Sequence, residues 1–347
     1  MNLLSDIAVS EARVLGGQRT FMKAAWYEKQ GKAADVFVIG EVDDPIPAAG
    51  EVRIRVKASG INPGDIKKRD NAFGYGMPYP RIIPHSDGAG VVDRLGEGVA
   101  SEWLGKRVWC FGAQSYRPFG TAAEYTVVPI EQVAALPDRV SFEQGACLGI
   151  PVITAHRAVH VAGTLKEKTV LVQGGAGTVG MTAIQFARKA GARVIATVRS
   201  ESDLTAPTIY GADHVLLTDG LLIEHLKELA PKGIDHIVEV ALGANIKTDI
   251  AVLAQGGSIS VYATDVAVPA IPAWELIFLN ARLFFVGSDD VPKDAKAEAV
   301  AATNQLLEAG WQDFHIAAEL PLEEIAAAHE LVEHPAQPGR VVLSISG

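Results

Sequence analysis

Cysteine is scarce: the 347 residues hold two, Cys110 and Cys147. Two are too few for a disulfide framework or a four-Cys metal site, and the scarcity fits a reducing compartment. Basic charge is in deficit, with 31 Lys and Arg against 41 Asp and Glu, a net of −10. That balance argues against a general nucleic-acid binder, which needs clustered cations for phosphates; it leaves room for a local pocket for one phosphate. The first residues carry Asp6 and Glu11 and no basic residue before Arg13, so the basic start of a secretory signal is missing. Long apolar runs are missing too, with one exception at 169–187, which is uncharged and long enough in principle to span a bilayer. Gly174, Gly175, Gly177 and Gly180 and two glutamines interrupt it, and it reads as a buried strand, turn and helix. The expectation is a cytoplasmic protein that neither enters a membrane nor binds nucleic acid. Residues 1–21 precede the first strand-like pattern and read as an N-terminal extension.

What is present divides the chain. Residues 22–147 read as mostly β. In 51–57, EVRIRVK, Val52, Ile54 and Val56 share one face and Arg53, Arg55 and Lys57 the other, the period of a half-buried strand. Further strands fit 89–95, 106–111 and 121–128, separated by turn residues. From about 168 six short apolar runs alternate with helical segments: 169–173, 194–198, 214–217, 235–240, 258–262 and 283–287. That alternation predicts a doubly wound parallel sheet. Pro207 shortens or displaces the helix in 203–211. The tail offers a helix near 295–309, a strand, a helix near 322–333 and a last strand, GRVVLSI. In that strand Arg340, Val342 and Ser344 would share one face, and Val341, Leu343 and Ile345 the other. The tail is most economically placed back on the first domain. The fold class is therefore α/β, with a Rossmann sheet (148–289) inserted in a mostly β domain (22–147 plus 290–347).

The segment 169–191 is the most informative. Gly175, Gly177 and Gly180 form G-x-G-x-x-G after a strand and at the opening of a helix, the context in which that pattern means dinucleotide binding. Gly175 supplies φ freedom for a tight turn. Gly177 lets the backbone approach a pyrophosphate, and Gly180 lets helix and strand pack closely. The helical amides, beginning with Thr178 and Val179, hold the anion. The bland alternative is a Gly-rich turn that binds nothing. At the end of the second strand, where an acidic residue would hold the 2′-hydroxyl of NAD, the chain has Arg199 and Ser200. A guanidinium fork and a hydroxyl suit the 2′-phosphate of NADP, so the expected cofactor is NADPH. Glu201, two residues on, and a merely solvated Arg199 stand against that.

Six segments carry a resemblance: SGINPGD (59–65), PHSDGAGVV (84–92), PVITAHRAV (151–159), the glycine turn with its helix, YGADHV (210–215) and PGRVVL (338–343). With a β domain, a Rossmann domain and a return to the first, the chain resembles the medium-chain dehydrogenase/reductase superfamily over about 22–347. Within it the chain is similar to the zinc-independent, zeta-crystallin-like quinone oxidoreductases, and the β domain is expected to be GroES-like. Departures are Thr178 in the turn, Leu204 where many members have Lys, and His85 in place of a common Gly. The zinc-ligand positions of the superfamily match Asn62, Ser86 and Asp87, and the last ligand's region reads GIPVIT. A catalytic zinc needs three good ligands, so no metal is expected.

Without a metal the substrate must itself accept electrons well, as quinones and carbonyl-conjugated alkenes do. The resemblance implies that 59–65 lies near the nicotinamide. Asn62 then positions the cofactor or donates to the substrate oxygen, unless it only makes an Asx turn ahead of Pro63. Thr154 resembles a cofactor-contacting Thr, or is a helix-start hydroxyl. Tyr75, between Gly74 and Gly76, is the candidate proton donor on a mobile loop, or an aromatic wall that sorts flat substrates. Arg340 stands where the family often has Lys and could reach the cofactor phosphates. The expected function is an NADPH-dependent, zinc-independent reductase acting on a small-molecule electrophile, a quinone or an enone/enal. Enoyl-thioester reduction and non-catalytic NADPH binding are the alternatives. The resemblance also implies a homodimer, with 280–288 an apolar candidate edge.

Overall fold

The structure, a computed structural model, describes residues 20–311 and 313–346; the extension proposed at the N-terminus lies outside them apart from its last two residues. Phe21–Trp26 is already a strand, paired antiparallel with Val38–Asp43.

The larger sheet of the first domain is built around Glu51–Gly60, in which Val52, Ile54 and Val56 are buried and Arg55 is exposed. Its neighbours are Asp87–Leu95, Tyr125–Pro129 and, from the far end of the chain, Arg340–Ser344. The tail does return to this sheet: Val342 pairs with Gly60 and Ser344 with Ala58. The last strand has the two faces expected of it: Val341, Leu343 and Ile345 lie in one apolar cluster and Val342 in another. Arg340, Val341, Val342 and Leu343 are all buried, because both faces are covered: Val341 and Leu343 pack with Ile325 and Ala328, and Val342 with Ala146 and Cys147.

The second sheet is wholly parallel. Its spatial order is His214–Leu217, Arg193–Val198, Thr169–Val172, Ile234–Glu239, Leu253–Val261, Arg282–Phe285. The order reverses between Thr169–Val172 and Ile234–Glu239, a topological switch point. Val170, Leu171 and Val172 have no exposure, as expected of a strand covered by helices on both faces. All six expected strands are present. The fifth begins earlier than its apolar run: Leu253 pairs with Ile234, the chain bulges at Gly256 and Gly257, and pairing resumes with Ser258 opposite His236. The helix at Pro207 is four residues, Ala206–Ile209. Helix Thr178–Lys189 ends with Gly191 at φ +81°, the left-handed conformation of a helix stop.

Helix Gly149–His160 leads into this sheet and Lys293–Ala309 leads out. One apolar core joins the domains through them, with Trp109, Leu148, Ile153, Phe186 and Leu307 in the same cluster. The carboxyl ends of the central parallel strands therefore open beside the first domain, where ligands of such sheets bind.

Candidate active site

The phosphate turn forms as the glycine spacing implies, with one correction. The left-handed residue is Gly174, at φ +68°, and not Gly175. Gly174 is the residue that turns the chain off the strand. Its N–H donates to the Thr197 hydroxyl at 3.2 Å, and its carbonyl accepts from Gly177 N at 3.0 Å. Gly175 is needed for space: a Cβ there would lie 2.7 Å from that of Ala196. Gly180 packs against the turn, and its Cβ would lie 2.3 Å from the Gly174 carbonyl oxygen. Gly177 is different. It is exposed, and a Cβ there would meet only the Gly174 oxygen at 3.4 Å. Gly177 caps the helix, and the first helical bond runs from Met181 N to Gly177 O. The amides of Thr178, Val179 and Gly180 thus precede the helical ladder and remain for an anion.

Arg199 and Ser200 are exposed directly after strand Arg193–Val198. The Ser200 hydroxyl accepts from Ser202 N at 3.3 Å, capping a single turn that contains Glu201. Arg199, Ser200 and Glu201 share this strand-end turn.

A second group of residues is buried between the first sheet and the start of helix Gly149–His160. Asn62 caps helix Pro63–Arg69, and its backbone N–H donates to the Asp65 carboxylate at 2.8 Å. Its side chain is engaged at both ends. Nδ2 donates to Asp87 Oδ2 at 2.7 Å, and Oδ1 accepts from Arg340 Nη1 at 3.1 Å. Ile150 N donates to both Asp87 oxygens at 2.9 Å. Burial pushes the Asp87 carboxyl up to about 7, against the pull of the Asn62 amide and Arg340. The helix can approach Asp87 this closely only because residue 149 is Gly, whose Cβ would sit 1.9 Å from Oδ1. Asn62 and Arg340 are thus brought together, and the Arg340 guanidinium lies on the Asn62 amide. Thr154 is buried four residues after Ile150 on the same helix.

Asp87 is the member of this group whose role the motifs do not mark. The sequence marks it only as a carboxylate in the segment 84–92, at a position matching a zinc ligand of the superfamily, and not as a partner of Asn62 and Ile150. His85 is also informative. Its φ is +76°, which explains why glycine suits this position. It is buried and held by Ser59 Oγ on Nδ1 at 2.8 Å and by His329 Nε2 on Nε2 at 2.9 Å. Ring centroids 5.1 Å apart with planes 22° from parallel make this an edge-to-edge contact between nearly coplanar rings. Burial depresses His85 to about 3.

These contacts bear on a metal. Among the described residues no three His, Cys, Asp or Glu are placed to hold one ion. The candidate donors are committed elsewhere: Asp87 to Ile150 and Asn62, His85 to Ser59 and His329. The residues present do not fit a catalytic zinc.

Tyr75 stands apart from the buried group. It is 56% exposed, and its ring stacks on Phe73 at 5.8 Å and 14°. Gly74 and Gly76 on either side have φ of +76° and +73°. Partial burial raises its hydroxyl, with Lys68 pulling the other way.

Residues 48–138 match the alcohol dehydrogenase GroES-like domain family, and residues 178–301 match the zinc-binding dehydrogenase family. The quinone oxidoreductase of Rattus norvegicus is 32% identical over 311 residues, covering 86% of this chain and 90% of the relative. A solved mycobacterial quinone oxidoreductase superposes with a TM-score of 0.80 at 25% identity, over 93% of this chain and 99% of that one. A mycobacterial structure complexed with NADPH shares the fold, with a TM-score of 0.79 at 24% identity over 93% and 99% of the two chains.

The two glycines of the turn separate binding from folding. Gly177→Val is expected to keep the thermal midpoint close to that of the parent while abolishing nicotinamide nucleotide binding. Gly180→Ala, colliding with backbone, is expected to lower both. Fluorescence titration with melting curves checks this, and unchanged affinity in Gly177→Val would remove the turn from the binding site.

Proposed function

The chain belongs to the medium-chain dehydrogenase/reductase superfamily, among its quinone oxidoreductases, and on that premise we propose that it is an NADPH-dependent reductase of quinones and α,β-unsaturated carbonyl compounds that works without zinc. The oxidoreductase class and a nicotinamide-binding domain follow from the family. The finer reading rests chiefly on one observation, the exposed Arg199–Ser200 strand end where a carboxylate would select NADH.

The bound dinucleotide supplies a hydride, and with one proton a quinone becomes a hydroquinone. The protein's part is placement. The turn amides and Arg199 hold the phosphates. Asn62 uses both ends of its amide within the protein, which supports a positioning role over direct donation to the substrate. Its partners Asp87 and Arg340 keep that wall rigid. The Phe73–Tyr75 pair supports the aromatic-wall reading of the 70–80 loop, since a stacked, half-exposed phenol suits a flat substrate. Water then provides the proton. Thr154 remains the proposed cofactor contact on the helix that holds Asp87.

A homodimer is the proposed assembly. Arg282–Phe285 is a free edge of the parallel sheet, and Trp274, Ile277, Phe278 and Phe285 near it are 57–73% exposed. Exposed apolar surface on an unprotected edge is what a second copy would cover. Among the described residues no helix is long and apolar enough to cross a membrane.

Chelator-treated protein is expected to oxidise NADPH with a simple quinone and with a 2-alkenal. No turnover of either, with NADPH still bound, would overturn the reductase reading. Arg199→Ala is expected to raise the KM for NADPH about tenfold or more, the loss of one charge-assisted phosphate contact, and to leave that for NADH nearly unchanged. Equal effects would show that Arg199 does not meet the 2′-phosphate. Phe285→Asp is expected to shift the chain from dimer to monomer in light scattering, and a monomeric parent would dismiss the assembly.

A further inference from the structure

Beneath the phosphate turn lies a buried polar chain that none of the motifs accounts for. It crosses the switch point of the parallel sheet. Gln173 follows strand Thr169–Val172, Thr197 lies near the end of Arg193–Val198, and Glu239 ends Ile234–Glu239. Asn245 and Asp249 come from helix Leu242–Val252, four residues apart and so on one face. Glu239 and Asp249 have no exposure, and Gln173 and Thr197 are buried.

The direction of every bond is set from the turn. Gly174 N–H donates to Thr197 Oγ1, so that hydroxyl points its own hydrogen elsewhere, to Gln173 Oε1 at 2.6 Å. With its oxygen so placed, Gln173 offers its Nε2 to Asp249 Oδ1 at 2.9 Å. Asp249 Oδ2 then finds no donor. It faces Glu239, which is already an acceptor: the N–H of Ala241 and the Asn245 amide, at 3.0 Å, both donate to Glu239 Oε1. Two ionised carboxylates cannot share this dry site. One proton between them resolves the conflict. Glu239, accepting those N–H groups, is the better-stabilised anion, so the proton is placed on Asp249 Oδ2, which has no other partner. Burial, with the Glu239 charge beside it, holds the Asp249 carboxyl well above its usual range.

We propose that Asp249 is a positioning residue for the nucleotide: as a neutral carboxylic acid it orients Gln173 and Thr197, and through them holds the Gly174 amide and the phosphate turn. The inference rests on the nucleotide occupying that turn. Asp249 touches neither nucleotide nor substrate. Its effect falls on the pyrophosphate, which NADH and NADPH share, and so differs in kind from that of Arg199.

Three variants test it by direct titration of NADPH and NADH. Asp249→Asn keeps both bonds, its carbonyl accepting from Gln173 and its amide donating to Glu239, and is expected to bind both nucleotides within about twofold of the parent. Asp249→Ala breaks the chain and is expected to weaken both about tenfold, by the same factor, the cost of one orphaned buried group. Thr197→Val removes only the hydroxyl at the turn end and is expected to reproduce that equal loss, which carries the test if Asp249→Ala does not fold. A parent that binds neither nucleotide would overturn the reading of the site itself. A parent that binds, with Thr197→Val unchanged or with Asp249→Asn weakened tenfold, would overturn the role of Asp249 alone.

Discussion

The crevice depends on the placement of one residue, Gly174. Its amide is tied down to Thr197, its carbonyl receives Gly177, and its oxygen lies where any side chain at 180 would have to go. A helix start can present free amides to an anion only if the chain turns sharply off the strand and the helix then packs against that turn. Both conditions meet at this residue. A positive φ starts the turn, and the bare face of Gly180 lets the helix close over it. The rest of the parallel sheet is a platform that keeps the turn still.

The same economy governs the buried polar groups of the first domain. Asp87 and Arg340 are both withdrawn from water, and an unpaired charge there would be costly. They share Asn62, which accepts from the cation and donates to the anion. The amide bridges the cation and the anion without the two having to touch. The backbone N–H of Ile150 completes the acceptor's demand. A helix start, a strand end and a helix cap are thereby fixed to one another by side chains that come from positions 62, 87 and 340.

Much of the fold was legible in the residues. Alternation in 51–57 and the six apolar runs after 168 follow from the periods of strands covered on one face or on two. The edges of those elements were less legible. Leu253 joins its strand across a bulge that only the pairing with Ile234 reveals. The last strand alternates as though one face were wet, yet apolar residues of other elements cover both faces. Of the site, the glycine turn could be read because its constraint is local. Asp87 and Asp249 could not, since their meaning lies in neighbours 25 to 76 residues away, Asn62 for the first and Gln173 for the second. The left-handed residue also escaped, because Gly174 and Gly175 are adjacent and only the backbone path distinguishes them.

The pairing of Val342 with Gly60 sets an order of events during synthesis. Strand Glu51–Gly60 leaves the ribosome first, and its partner Arg340–Ser344 follows some 280 residues later. At ~5–20 residues per second that interval is on the order of tens of seconds. Throughout it the first sheet carries an open backbone edge while the parallel sheet is still being made. Such an edge is a template for strands of other chains. The first sheet therefore stays incomplete until a strand some 280 residues downstream has been made.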